Sequence, residues 1–366
     1  MHYNRGRWPF RIVSATERFV RDEPSRQPGA TRRQFLAMAM GAGILAPAVS
    51  HALRRAAQGV AGKTVMTTLG AVDASRLGFT LAHEHVCSVP PERAGDRSAA
   101  VRYMVNKLMA AKDAGIESIV DTTTFDVGRD VRFGQEVARK AGIHLIVSTG
   151  QHFFAPETLN ARSVAAIAEV FIREIENGID GTGIRAGAIK VAARSEVMSA
   201  AEINVFRAAA RAHKATGVPI QTHTHARRRA GERQAEIFES EGVSPSRVSL
   251  GHSDDVEEAG YLIGLARRGY TLGMDHAFYG TGPDAVVPFQ KRLRYIKELV
   301  ENGLSERILL STDWELGARE RLNPDGLLFV TGRTIPALRQ LGLSAQQITA
   351  ITVENPARFF TGSSAR

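Results

Sequence analysis

"GFTLAHEHV", residues 78–86, ends an alternating apolar run on His83 and His85. In an extended strand the side-chain period is two, so both imidazoles face the same side. Two imidazoles on one face can grip one cation; otherwise one caps the strand and the other is solvated. Seven further short β-rich runs follow, at 118–124 ("SIVDTTT"), 144–150 ("HLIVSTG"), 185–191 ("RAGAIKV"), 219–224 ("PIQTHT"), 247–253 ("RVSLGHS"), 270–276 ("YTLGMDH") and 307–314 ("RILLSTDW"). Between them lie Ala-, Arg- and Glu-rich segments of helical period, such as "AAEINVFRAAARAHKATG" (200–217), closed by glycine. This alternation over about 300 residues predicts an α/β fold, a (β/α)8 TIM barrel in a single domain. A doubly wound open sheet is the alternative, but no GxGxxG follows a strand and no phosphate loop is present.

The chain has 366 residues, 43% hydrophobic and 23% charged, with a formal net charge of +9. These fractions are ordinary for a soluble globular protein. The charge is concentrated at the N-terminus: residues 1–62 hold ten arginines and no lysine against Glu17, Asp22 and Glu23. The rest of the chain is nearly balanced, which removes the main reason to expect a nucleic-acid partner. Within the basic segment, "TRRQFLAMAMGAGILAPAVSHALRR" (31–55) sets the pair Arg32 and Arg33 before an apolar, small-residue-rich stretch. That stretch is about 15 residues long with polar flanks, too short to anchor in a membrane. It resembles a twin-arginine export signal; a basic arm is the alternative. The expected organisation is a signal-bearing segment over 1–60 and a barrel over 61–366, exported to the periplasm or beyond by the twin-arginine translocase, with no stable membrane insertion. Cys87 is the only cysteine, so no intrachain disulfide can form.

Metal-competent residues gather at the C-terminal ends of the expected strands, where barrel active sites form. They are His83, His85, Lys190, His223, His252 and Asp313. Singly, each has a plain explanation: Lys190 reaching water from an edge, His223 and His252 hydrogen-bonded in the core, Asp313 capping a helix. Together at one rim they predict a metal site. Four neutral imidazoles and one carboxylate leave two divalent ions under-neutralised, and Lys190 as an ammonium would repel them. As a carbamate formed with CO2, Lys190 becomes an anionic bridge of two oxygens. The expected cofactors are therefore two divalent ions, zinc foremost with Co, Mn or Fe as alternatives, and the carbamate on Lys190. A hydroxide is the expected second bridge, because zinc lowers the pKa of its water to about 7.

Beyond these ligands, "FESEGVSPSRVSLGHSDD" (238–255), "GIRAGAIKVA" (183–192), "TTFDVGRDV" (123–131), "RLNPDGLLF" (321–329) and "ITVENPARFF" (351–360) resemble the phosphotriesterase family of the amidohydrolase superfamily. The resemblance runs from about residue 64 to 362 and takes in both organophosphate hydrolases and related lactonases. It implies that His83, His85 and Asp313 hold the buried ion, that His223 and His252 hold the more exposed one, and that carboxylated Lys190 bridges them. It also implies a proton route from Asp313 through His276 to Asp255, although Asp255 could equally cap the following helix. His152 stands where the organophosphate hydrolases carry Trp and the lactonases Tyr, beside Phe153. Tyr279 replaces a family His, and "WELGARERLN" (314–323) is a shortened loop. His152, Phe153, Tyr279 and Trp314 are the expected substrate-pocket residues. Family members are often dimers, so a homodimer is expected.

The leading functional expectation is a binuclear metal hydrolase in which the bridging hydroxide attacks a phosphotriester. Lactone or ester hydrolysis at the same site is the alternative. A cyclic-amide hydrolase fits less well with the long match over 238–255. A catalytically silent metal-binding barrel would be favoured by loss of a ligand, and none is lost. The expected partner is a small-molecule ester or lactone.

Overall fold

Glycine stops and polar caps cut this chain into alternating strands and helices. The computed structural model describes residues 62–89, 95–152, 162–193, 195–282, 285–316, 320 and 323–361. The export signal, the boundary near residue 60 and Phe153 lie outside the described residues. The helix Val131–Ala141 starts at Asp130, whose carboxylate accepts the Phe133 N–H, and stops at Gly142 with φ 67°. Its inner face buries Val131, Phe133, Val137, Ala138 and Ala141. The helix Ala200–Thr216 starts with a reciprocal capping box between Ser199 and Glu202 and stops at Gly217, φ 74°. Each stop turns the chain into the next strand.

A short antiparallel hairpin comes first, β1 (Thr64–Thr67) with β2 (Gly70–Asp73), which the sequence patterning did not reveal. Then β3 (Thr80–Glu84), β4 (Ser118–Asp121), β5 (His144–Gln151), β6 (Ala188–Ala192), β7 (Ile220–His223), β8 (Val248–Leu250), β9 (Thr271–Met274) and β10 (Ile308–Leu310) form one eight-stranded sheet. Neighbours pair in parallel in chain order, so helices cross over on the outside and the sheet curves into a near-barrel. One apolar cluster lies between the strands and the surrounding helices. A second fills the barrel floor, where Ala82, Val120, Ile146, Ala188 and Leu309 meet Val65 of the hairpin and Phe359 and Phe360 of the C-terminal helix. The N-terminal ends of the strands are thus plugged by apolar side chains.

Two local features shape that upper rim. Gly150, with φ 122°, pairs in register with Lys190, and a Cβ there would come within 1.8 Å of the Lys190 carbonyl oxygen. Only glycine lets β5 approach the lysine this closely. Cys87, wholly buried after β3, gives its N–H to Asp121 Oδ2 at 2.7 Å and packs its Sγ against Gly134. Burial pushes its thiol pKa well up, and the neighbouring Asp121 adds to the shift.

The seam between the first and last barrel strands is closed mainly through a side chain. Glu84, wholly buried, accepts the Ser311 hydroxyl and the Thr312 N–H on Oε1, and the Thr312 hydroxyl and the Trp314 N–H on Oε2, all within 2.7–2.8 Å. The Asp313 N–H donates to the His83 carbonyl and the His85 N–H to the Trp314 carbonyl. Burial pushes the Glu84 carboxyl up to about 8 against the pull of these four donors. Glu84→Gln leaves one oxygen to do the work of two, and one buried backbone N–H of the Thr312–Trp314 segment loses its acceptor. It should cost about 1–3 kcal/mol, measured by denaturant unfolding; a loss below about 0.5 kcal/mol would show that the carboxylate does not hold the seam.

Candidate metal centre

The C-terminal ends of β3, β6, β7, β8 and β9 and the segment after β10 bring together the side chains singled out by sequence. His83, His85, Lys190, His252 and Asp313 are all buried, and His223 is partly buried. His85 Nε2 lies 3.2 Å and His83 Nε2 3.5 Å from Asp313 Oδ1. Lys190 Nζ lies 2.8 Å from His83 Nε2, and His252 Nε2 lies 2.8 Å from His223 Nδ1. Two of the residues sit in strained backbone: His252 has φ 55° and Asp313 φ 49°. Such conformations persist where surrounding bonds over-determine them, and they gather at functional sites.

The orientation of the imidazoles is set from behind. Asp275 divides its two oxygens between two histidines, Oδ2 to His83 Nδ1 and Oδ1 to His252 Nδ1, both at 2.8 Å, and Oδ1 also accepts the His252 N–H. His85 Nδ1 lies 3.1 Å from the Thr123 hydroxyl, which donates to Asp121. With Nδ1 carrying the proton in each ring, the Nε2 lone pairs of His83 and His85 point at Asp313, that of His83 also meets Lys190, and that of His252 faces His223 Nδ1. Carboxylate or hydroxyl groups behind ligating histidines fix tautomer and direction in this way. Burial, reinforced by Lys190 at His83 and by His276 at His252, holds both pKa values well below the usual histidine range, so the rings are neutral. Burial, then Lys190, does the same at His223. Burial pushes the Asp275 carboxyl up to about 7.

Neutral imidazoles with converging lone pairs and a buried carboxylate are the donor set of a divalent-cation site. Among the described residues, three groupings bring their ligand atoms within 4.8 Å of one another: His83, His85 and Asp313; His252, His276 and Asp313; and His83, His252 and Asp275. Asp313 belongs to two of them, with His83 and His85 in one and with His252 in the other, which suits a pair of ions, while His276 turns its second nitrogen to Asp255. The residues fit a binuclear centre.

His276 and Asp255 also reach the centre. His276 Nε2 lies 3.0 Å from Asp313 Oδ2, and its Nδ1 lies 2.7 Å from Asp255 Oδ2. Burial alone would lower the His276 pKa, but Asp255 and Asp313 outweigh it and raise it to about 10. Burial likewise opposes ionisation of Asp255, yet His276 and Arg292 together hold its carboxyl well below the usual range. Arg292 is buried and bonds Asp255 Oδ1 at 2.7 Å and the Asp254 carbonyl at 2.9 Å.

The expected pocket residues part company. Tyr279 sets its ring 4.6 Å from that of His276 and lines a cavity of about 490 Å³ above His223, His252 and His276. His152 lies edge-on to His223, ring centroids 5.3 Å apart, and burial followed by Lys190 lowers its pKa to about 2. Trp314 is wholly buried and is not among the residues lining this cavity. Its backbone is held by Glu84 and its indole packs over Gly326, so the large apolar ring is drawn into the core. Sequence reasoning missed Asp275, Glu84 and Arg292. Asp275 had a signal, a carboxylate next to His276 at a strand end.

A sequence profile of the Phosphotriesterase family matches residues 63–360. A phosphotriesterase homology protein of Mycobacterium tuberculosis is 35% identical over 320 residues, covering 80% of this chain and 96% of the relative. An aryldialkylphosphatase of Saccharolobus solfataricus is 33% identical over 309 residues, covering 79% and 97%. Among solved structures, a triple mutant of an organophosphorus hydrolase from Deinococcus radiodurans superposes with a TM-score of 0.73 at 32% identity, covering 81% and 97%. The match takes in the barrel from its N-terminal hairpin to its last helix, and the chain therefore belongs to the phosphotriesterase family of metal-dependent hydrolases.

Proposed function

We propose that this hydrolase cleaves phosphotriesters at a binuclear centre held by His83, His85, Lys190, His223, His252 and Asp313. The observation that carries the reading is the convergence of the His83 and His85 Nε2 lone pairs on Asp313, each ring pinned from behind, with His252 grouped with the same carboxylate. Two divalent ions, zinc foremost, supply Lewis-acid polarisation of the phosphoryl oxygen and a water acidified towards neutrality. The relative of S. solfataricus described as an aryldialkylphosphatase supports this substrate class. Lactone or ester hydrolysis is the second reading, favoured by His152 beside His223 in place of the Trp of the organophosphate hydrolases.

The chain's own residues then manage the proton. Asp313 takes it from the attacking water, and buried among imidazoles it has no direct exit. His276 bridges Asp313 to Asp255, and the Asp255 side chain is 34% exposed, so it hands the proton to solvent. Carboxylation of Lys190 would give the wholly buried side chain an anionic head. Export of a mature chain from about residue 61 rests on the arginine pair alone, and a homodimer on the family resemblance alone.

Three outcomes test these assignments. His276→Asn and Asp255→Asn should each slow turnover of an activated aryl phosphotriester about 10- to 100-fold, or roughly 1.4–2.7 kcal/mol. Metal content should be unchanged and the double variant little worse than either single one; multiplicative losses would mean that the residues act independently. Lys190→Ala should lose bound metal, read by elemental analysis, together with activity; an alanine variant retaining both ions would refute the bridge. Replacing Arg32 and Arg33 with lysine should leave folded, active enzyme in the cytoplasm, whereas unimpaired export would make the segment a basic arm.

A further inference from the structure

The cavity above the centre is uneven in charge. It is lined by His223, His252 and His276, by two arginines, Arg227 and the buried Arg292, and by the apolar Ala285 and Val286. Arg292 is buried, and its guanidinium bonds the Val287 carbonyl through Nε and the Asp254 carbonyl and Asp255 carboxylate through Nη1. Asp255, the one carboxylate in the lining, is taken up by Arg292 and His276. Arg227 differs. Its side chain is 43% exposed, and its ion pair with Glu257 is long, 3.8 Å, to a carboxylate that is itself 61% exposed and outside the cavity lining. An exposed pair of this kind is weak and yields readily to a better-placed anion.

The neighbouring arginines sharpen the point. Arg227, Arg228 and Arg229 are consecutive, but Arg228 faces Glu196 and Arg229 is forked on Glu232. Only Arg227 of the three lines the cavity. A single guanidinium suits a monoanion, whose two oxygens match its fork; a dianion would be left half neutralised. Val286, 61% exposed, offers apolar cover for a hydrocarbon chain on the way.

We propose that Arg227 is a specificity-determining residue for substrates bearing a carboxylate on a short apolar chain remote from the scissile bond. The assignment deepens the hydrolytic site proposed above and rests on it. The neutral ester or lactone group lies over the histidines, and the chain runs along Val286 to the guanidinium. An uncharged substrate of the same shape gains nothing from Arg227.

The test uses the metal-loaded full chain and a matched pair, a γ-lactone whose side chain ends in a carboxylate and the methyl ester of that carboxylate. The wild type should prefer the acid by about 10-fold or more in kcat/KM, mostly through KM, as a charge-assisted bond allows. Arg227→Met, which keeps the apolar stem, should bring the ratio near one, and Arg227→Lys should restore part of it. Raising salt to about 0.5 M should shrink the wild-type ratio, because the contact is half-exposed. A ratio near one in the wild type, or a ratio unchanged in Arg227→Met, overturns the proposal. So does a variant that slows aryl substrates regardless of charge, for the guanidinium would then be stacking on the ring. If neither lactone is cleaved, the lactone reading alone fails and the phosphotriester reading stands. Calorimetric binding of the ring-opened acid to wild type and Arg227→Met then reads the anion site by itself: equal affinity overturns it, and weaker binding by the variant sustains it.

Discussion

The upper rim of this barrel depends on a wholly buried carboxylate. A parallel barrel must join its first strand to its last, and here the last, β10, is only three residues long. Glu84 completes the join by collecting two hydroxyls and two backbone N–H groups from the segment that follows β10. The two N–H groups belong to Thr312 and Trp314, the residues on either side of Asp313. Fixing both neighbours holds Asp313 at its positive φ, a conformation that costs a non-glycine residue of order 1–3 kcal/mol. The carboxylate shared by two of the ligand groupings is thus aimed by one a strand away, next in sequence to His83 and His85.

Asp275 plays the matching part across the barrel. Its two oxygens serve His83 and His252, so histidines from two different strand ends are oriented by the same buried carboxylate, which directly follows β9. The cavity wall is built differently. Arg227, Tyr279 and Val286 sit in the connections after β7 and β9, where side chains can change without touching the strand ends.

The legible part of this molecule was what periodicity and chemistry announce together. His83, His85, Lys190, His223, His252 and Asp313 stood out because metal-competent residues recurred at strand ends, and the structure brings them to one rim. What hid was of two kinds. Glu84 and Asp275 act from behind the rim, and a carboxylate beside a histidine in sequence does not reveal which way it points. The β1–β2 hairpin was missed because two four-residue strands barely express a period. The run 307–314 read as one strand, but regular pairing stops at Leu310 and the rest is given over to Glu84 and the backbone of β3. Trp314, at the end of that run, is wholly buried.

The lone cysteine carries a consequence of its own. Cys87 lies in the segment between β3 and the helix Arg97–Asp113, sealed by Gly134 and bonded through its backbone to Asp121, which in turn supports His85 through Thr123. Its thiol is inaccessible and its thiolate disfavoured, so alkylating reagents can reach it only when this part of the barrel opens. The native chain therefore contains a built-in reporter of local opening directly behind the rim. Its rate of labelling measures how often the first strand and its histidines come loose, with no probe added and no residue changed.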